Sequence, residues 1–280
     1  MAHGKTIKLF LMDSDPNGRI KCSLANWTGV AYKIPRTMLD NCANIDMLKQ
    51  SGVYFLFGTN QAGDDAVYIG QAGARKNGNG LLLRVKEPHS TIDYWTEAVM
   101  LTTTNNSFGP TEICFLENRF CNMAKDAGRC VVTNGNDPTP GNLTEETESE
   151  LEEFIDYAKI VIGALGLKVL EPFVSPLVDT EPVFHMEYNG AKASGKRVAD
   201  GFVVLKGSTL NPNIAAKCPE KAKRDREKYD AVIDNYTLTA DALLTSPSAA
   251  AAFVGGASLS GNAKWKDENG GTLGAYLDNL

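Results

Sequence analysis

Between residues 52 and 70 apolar side chains alternate across a turn-rich break, and this pattern is the clearest in the chain. Gly52-Val53-Tyr54 and Phe55-Leu56-Phe57 precede Gly58, Asn60, Gly63, Asp64 and Asp65, after which Ala66-Val67-Tyr68-Ile69-Gly70 follows. Two aromatic and β-branched runs around turn formers predict a β-hairpin. With a period of two, Val53, Phe55 and Phe57 share one face while Tyr54 and Leu56 share the other, and Val67 and Ile69 leave Tyr68 opposite them. Antiparallel pairing can then place both phenols on one face, in a register that the pattern leaves open.

Upstream, residues 7–12 and 19–24 predict strands joined by a turn at Asp15-Pro16-Asn17-Gly18, and 37–49 is helix-like. Downstream the pattern predicts helices at 81–87, 112–127 and 144–165 and a strand at 97–103. Pro110 near the start and Gly128 after the end punctuate the second of these helices. Glu145, Glu146, Glu148 and Glu150 suit the N-terminus of the third. Pro172, Pro176 and Pro182 mark a linker. Beyond it come a strand at 201–206, a charged helix over 217–234 interrupted near Pro219, and an alanine-rich helix opened by Ser246-Pro247-Ser248. The fold class is α+β: a lead-in at 1–50, a sheet-and-helix domain at 51–170, a linker at 171–200 and a small α+β C-terminal domain at 201–280.

The 280 residues suffice for one large or two modest cores. No apolar run approaches the ~20 residues that span a bilayer, so no membrane partner is expected. Cys22, Cys42, Cys114, Cys121, Cys130 and Cys218 show no CxxC spacing, so reduced thiols and a cytoplasmic setting are expected. The net charge of -6 argues against a nucleic-acid partner. Its distribution weakens that objection, because the acidity is concentrated in residues 143–190 and leaves room for a positive face elsewhere.

Some positions stand out chemically. Four glycines from Gly70 to Gly80 could present N–H groups to an anion before the helix at 81, although the lysine and hydroxyl of a P-loop are absent. Arg84 lies beside Leu81 and Val85 and needs either an anion or a path to water. Glu117 has Ile113, Phe120, Cys121 and Ala124 as helical neighbours, so its carboxylate points along the buried side and calls for an arginine or a metal ion. Lys21, Lys33 and Arg36 near Trp27 and Tyr32 read either as a nucleic-acid contact or, more readily, as a solvated surface with a core aromatic. Lys264-Trp265-Lys266 reads either as a base-stacking platform or as a strand with a core tryptophan.

Taken in order, Gly52-Val53-Tyr54, Tyr68-Ile69-Gly70, Arg84, His89, Glu117 and Asn134 resemble the GIY-YIG nuclease family over residues 51–142, with valine where the family has isoleucine in the first triplet. Asn134 is taken as the matching asparagine from Asn134, Asn136 and Asn142. Residues 201–280 resemble a domain of unknown function often fused behind such nucleases, through Val204-Leu205-Lys206-Gly207-Ser208, Ser246-Pro247-Ser248-Ala249-Ala250 and Trp265. The resemblance implies a small antiparallel sheet flanked by helices and a metal-dependent endonuclease acting on nucleic acid, chiefly DNA. It implies one Mg²⁺ (or Mn²⁺) held by Glu117, a phosphate braced by Arg84, and water positioned or deprotonated by Tyr54. Tyr68, His89 and Asn134 complete the catalytic set, with Gly70, Arg75, Lys76, Lys264 and Trp265 expected to touch substrate. The alternative from another class is a non-cleaving nucleic-acid-binding or regulatory module that keeps the fold. A nucleotide-binding protein using 70–80 is a third.

Overall fold

The computed structural model describes residues 3–74, 80–87, 92–135, 138–172 and 181–280. The chain divides into two units, Met1–Pro172 and Phe173–Leu280, each mixing strands with helices. The class is therefore α+β.

In the first unit β1 (Ile7–Leu11) and β2 (Ile20–Leu24) form a hairpin, and β3 (Gly29–Pro35) pairs with β2. Residues 1–50 are thus no separate lead-in, because β3 joins them to the sheet of the following segment. Residues 37–49, expected to be one helix, form two 3₁₀ turns at Arg36–Cys42 and Asp46–Lys49. Asn41 and Asn44 interrupt that run, and asparagine competes for backbone hydrogen bonds inside a helix.

The predicted hairpin is β4 (Gly52–Thr59) and β5 (Asp65–Ala72), paired antiparallel with Tyr54 opposite Gly70 and Leu56 opposite Tyr68. After α1 (Leu81–Lys86), β6 (Trp95–Thr103) inserts between β3 and β4. Next come α2 (Pro110–Ala127), the two-residue β7 (Val131–Val132) parallel to β5, and α3 (Glu145–Ala164). The seven-stranded order is β1-β2-β3-β6-β4-β5-β7. Pro110 opens α2 and Gly128, at φ 63°, ends it in the left-handed conformation that favours glycine. The Thr144 side chain caps α3 by accepting from the Thr147 N–H.

Each face of this sheet buries its own core. On one, Val53, Phe55, Val67, Ile69, Val99 and Leu101 pack against α2 and α3 through Leu116, Phe120, Phe154 and Ile155. On the other, Tyr54, Leu56 and Met100 pack against Leu81 and Val85 of α1 and Leu39 and Leu48 of the 3₁₀ turns. The alternation read from the hairpin is what sorts these side chains.

The second unit carries a four-stranded sheet in the order β13-β10-β9-β8, made of β8 (Phe184–Tyr188), β9 (Ala191–Val198), β10 (Gly201–Val204) and β13 (Ala242–Leu244). The expected linker at 171–200 is therefore too long, since β8 and β9 occupy its second half. Asn189 and Gly190, both at positive φ (48° and 86°), make the tight turn between them. The charged segment yields α4 (Glu220–Lys228), and the hairpin β11 (Ile233–Asp234) and β12 (Thr237–Leu238) follows it. Then come α5 (Pro247–Gly255), α6 (Gly261–Lys264) and α7 (Leu273–Asp278). Among the described residues no helix is long and apolar enough to cross a membrane.

Candidate functional site

Register builds the site. Because Tyr54 faces Gly70 and Leu56 faces Tyr68, the two phenols are diagonal neighbours on one face, with ring centroids 6.2 Å apart. The Tyr54 ring lies across Gly70, where an added Cβ would stand 2.5 Å from its hydroxyl oxygen. Gly70 therefore makes room for the neighbouring phenol, and its described role is packing. Gly52 lets the strand approach Leu101 of β6 and Leu81 of α1. Tyr54 is fully buried, whereas Tyr68 is half-buried, so Tyr68 is the phenol nearer solvent.

Arg84 enters from α1 on the tyrosine face. Its guanidinium interacts with the Tyr54 phenol, which interacts in turn with Tyr68. Nη1 donates to Glu87 Oε2 at 2.6 Å, and the arginine side chain stays 38% exposed. Burial raises both phenol pKa values. At Tyr54 the neighbouring Tyr68 adds to the rise, at Tyr68 Glu117 adds to it, and in both Arg84 opposes it.

Glu117 comes from α2, on the opposite sheet face, and reaches the β5 edge. Its Oε2 accepts from Gln71 Nε2 at 3.0 Å, and Gln71 also contacts Cys114 one turn earlier on the helix. Burial raises the Glu117 pKa, which the Gln71 hydrogen bond and the Arg84 charge partly offset. The described partner of this carboxylate is thus a neutral amide, while Arg84 acts from a distance. Tyr54, Tyr68, Arg84 and Glu117 form one electrostatically coupled group.

Asn134 has a different position. Its Oδ1 accepts from the Ile69 N–H at 3.1 Å and its Nδ2 donates to the Ile69 carbonyl at 2.6 Å. The side-chain amide thereby continues the ladder after β7 ends, beside Tyr68. Arg75, Lys76 and His89 lie outside the described residues. Lys33 and Arg36 pair with Glu97 and Asp93, and Lys21 lies over Tyr32, in keeping with a surface reading.

In the second unit Trp265 corrects an expectation. It is fully buried, donates Nε1–H to the Pro247 carbonyl and packs on Phe202 with centroids 4.7 Å apart. Enclosed on all sides, its ring cannot stack on a base. Lys264 is exposed, with Nζ 5.5 Å from the Tyr188 ring centroid.

Two residues escaped the sequence reading. Gln71 continues the Val67, Ile69 stripe as a polar member, which was its available signal. Glu87 stands three residues after Arg84, the spacing of a helical ion pair. At the turn end of the β4–β5 hairpin, a cleft of about 630 Å³ is lined by Asn60, Asp93, Tyr94 and Thr133, with the Tyr94 hydroxyl 2.6 Å from Thr133 Oγ1.

Among the described residues no three His, Cys, Asp or Glu side chains gather as a metal cage. One carboxylate suits a Mg²⁺ that keeps most of its waters and takes its remaining ligands from a phosphate, and Mn²⁺ accepts the same oxygen donors. Glu117 offers such an ion a carboxylate oxygen, which in this structure accepts from Gln71.

Residues 184–277 match the family described as Domain of unknown function (DUF4357), which begins at β8 rather than at residue 201. The family comparison returns no GIY-YIG match, and no curated protein and no solved structure matches the chain.

Proposed function

We propose that the first unit is a GIY-YIG-like phosphodiester hydrolase acting on nucleic acid, most readily DNA. The observation that carries this reading is the placement of Tyr54 and Tyr68 6.2 Å apart on one sheet face next to α1, which carries Arg84, with Glu117 hydrogen-bonded to Gln71 three residues beyond Tyr68 on β5. Cleaving a phosphodiester requires an aligned water, relief of charge on the phosphoryl oxygens and stabilisation of the leaving oxygen. Arg84, whose side chain is partly exposed, braces the phosphate. Tyr68, the outer phenol, orients water through its hydroxyl. Tyr54 holds Tyr68 and Arg84 in place from behind. Fully buried, Tyr54 acts on water only through Tyr68 and Arg84, and burial raises its pKa. Glu117 would hold the divalent ion, which supplies Lewis-acid stabilisation of the phosphoryl group when bound.

The test is nicking of supercoiled plasmid by the full chain in Mg²⁺, against Glu117→Gln and Arg84→Ala. We expect nicking by the wild type and a loss of at least about 100-fold in each variant, as for removal of one transition-state contact. Equal nicking by wild type and Glu117→Gln would overturn the reading. The enclosure of Tyr54 favours, as a second reading, a module that binds nucleic acid without cutting it. Salt-dependent binding with no nicking selects that one.

A further inference from the structure

β1 is the outer strand of the seven-stranded sheet, and it is unusually apolar for an open edge. Leu9, Phe10 and Leu11 are 51%, 62% and 37% exposed, although they sit within a hydrogen-bonded strand. An edge of this kind is ordinarily blunted by charge, proline or a bulge, because its free N–H and C=O groups template another strand.

The ladder to β2 shows which groups are free. The Met12 N–H donates to the Arg19 carbonyl and the Ala25 N–H to the Thr6 carbonyl, so the even-numbered residues of β1 bond inward. By antiparallel alternation, Ile7 and Leu9 present both N–H and C=O outward and Leu11 its N–H, the Leu11 carbonyl accepting from the Ser14 N–H at 3.3 Å. Those three residues are also the ones whose side chains share a face.

We propose that β1 is a self-pairing edge through which a second copy of this chain joins its sheet to the first, antiparallel and centred on Leu9. In this register Leu9 faces Leu9 of the second copy and Ile7 faces Leu11, which forms about four N–H···O=C hydrogen bonds across the seam. On one face the aliphatic side chains of Ile7, Leu9 and Leu11 from both copies form a continuous row. On the other face Phe10 lies opposite Lys8 of the second copy, a cation–π pair. Neighbouring registers are worse. A shift of two residues toward the N-terminus sets Lys8 against Lys8, and like charges directly opposite destabilise a sheet. The same shift toward the C-terminus sets Ile7 against Asp13. The self-complementarity of Ile7-Lys8-Leu9-Phe10-Leu11 thus selects an isologous two-fold contact. A five-residue strand per copy is small for an interface, so the dimer is expected to be weak and concentration-dependent.

Position 9 supplies the test, because it alone faces itself. The mass of the full chain in solution is followed against concentration by light scattering and sedimentation, with circular dichroism as the check on folding. We expect the wild type to reach the mass of two chains reversibly. Leu9→Lys and Leu9→Glu, which each set like charges across the axis, should stay monomeric with unchanged spectra. An equimolar mixture of these two variants should dimerise again. Leu9→Pro, which removes an N–H that β2 does not use, should also be monomeric. A wild type that remains monomeric at its highest soluble concentration overturns the proposal. So does a Leu9→Lys protein that still dimerises, or a mixture that does not recover.

Discussion

A single missing carbon at position 70 decides whether the two phenols can meet. The Tyr54 ring occupies the space a side chain would fill, so Gly70→Ala must push it aside. We expect a loss of about 1–3 kcal/mol of stability, the usual cost of overpacking, together with loss of nicking. Thermal unfolding and the plasmid assay read the two effects. Glu117 carries the opposite trade. Burial favours its neutral form, so its contribution to stability is complete below the ordinary glutamate pKa and is lost as pH rises through the raised value. Glu117→Gln keeps an amide opposite Gln71 and removes the charge. It should therefore abolish nicking yet raise the melting temperature near neutral pH by about 2 °C, on a scale of about 2–4 °C per kcal/mol. That gain should vanish in acid. A variant that melts lower than wild type at neutral pH would contradict the burial argument. Glu117 was legible in the sequence because its helical neighbours are apolar. Gln71 was passed over because a strand residue reads as an edge position until its partner on α2 is known.

At the level of elements, Asn134 behaves as an extra rung of the sheet. Its amide makes both backbone hydrogen bonds of Ile69, so Asn134→Ala should cost about 1–3 kcal/mol. Hydrogen exchange at the Ile69 amide should accelerate accordingly. Asn134→Asp keeps the acceptor and loses the donor, and should protect that amide better than alanine does. An unchanged exchange rate in Asn134→Ala would remove the clamp from the account. The hairpin of β4 and β5 was readable because its runs alternate cleanly around turn formers. β3 was not, since Val30-Ala31-Tyr32-Lys33-Ile34 lies buried between two strands and shows little alternation. The β8–β9 hairpin did carry a sign, Asn189-Gly190 between alternating residues. The nearby prolines drew attention to a linker instead.

For the molecule as a whole, the two units were visible in the sequence, although the start of the second was placed too late. Trp265 shows where local reading stops. Two flanking lysines suggest a ligand, and only the assembled core of Phe184, Phe202 and Phe253 shows that the ring is enclosed. Trp265→Ala should destabilise residues 181–280 by about 3–5 kcal/mol. Exchange protection there should fall while that of β4 and β5 persists, and uniform loss along the chain would contradict this. At the far side of the first unit's sheet, β7 pairs with β5 at Ala66 and Val67 alone. Had it run on as far as Gln71, it would have shuttered the rim at which α2 delivers its acid. Beyond Val67 the Asn134 amide takes over at Ile69, and replacing it with three or four more β-forming residues paired as far as Gln71 should give a sturdier but inert protein.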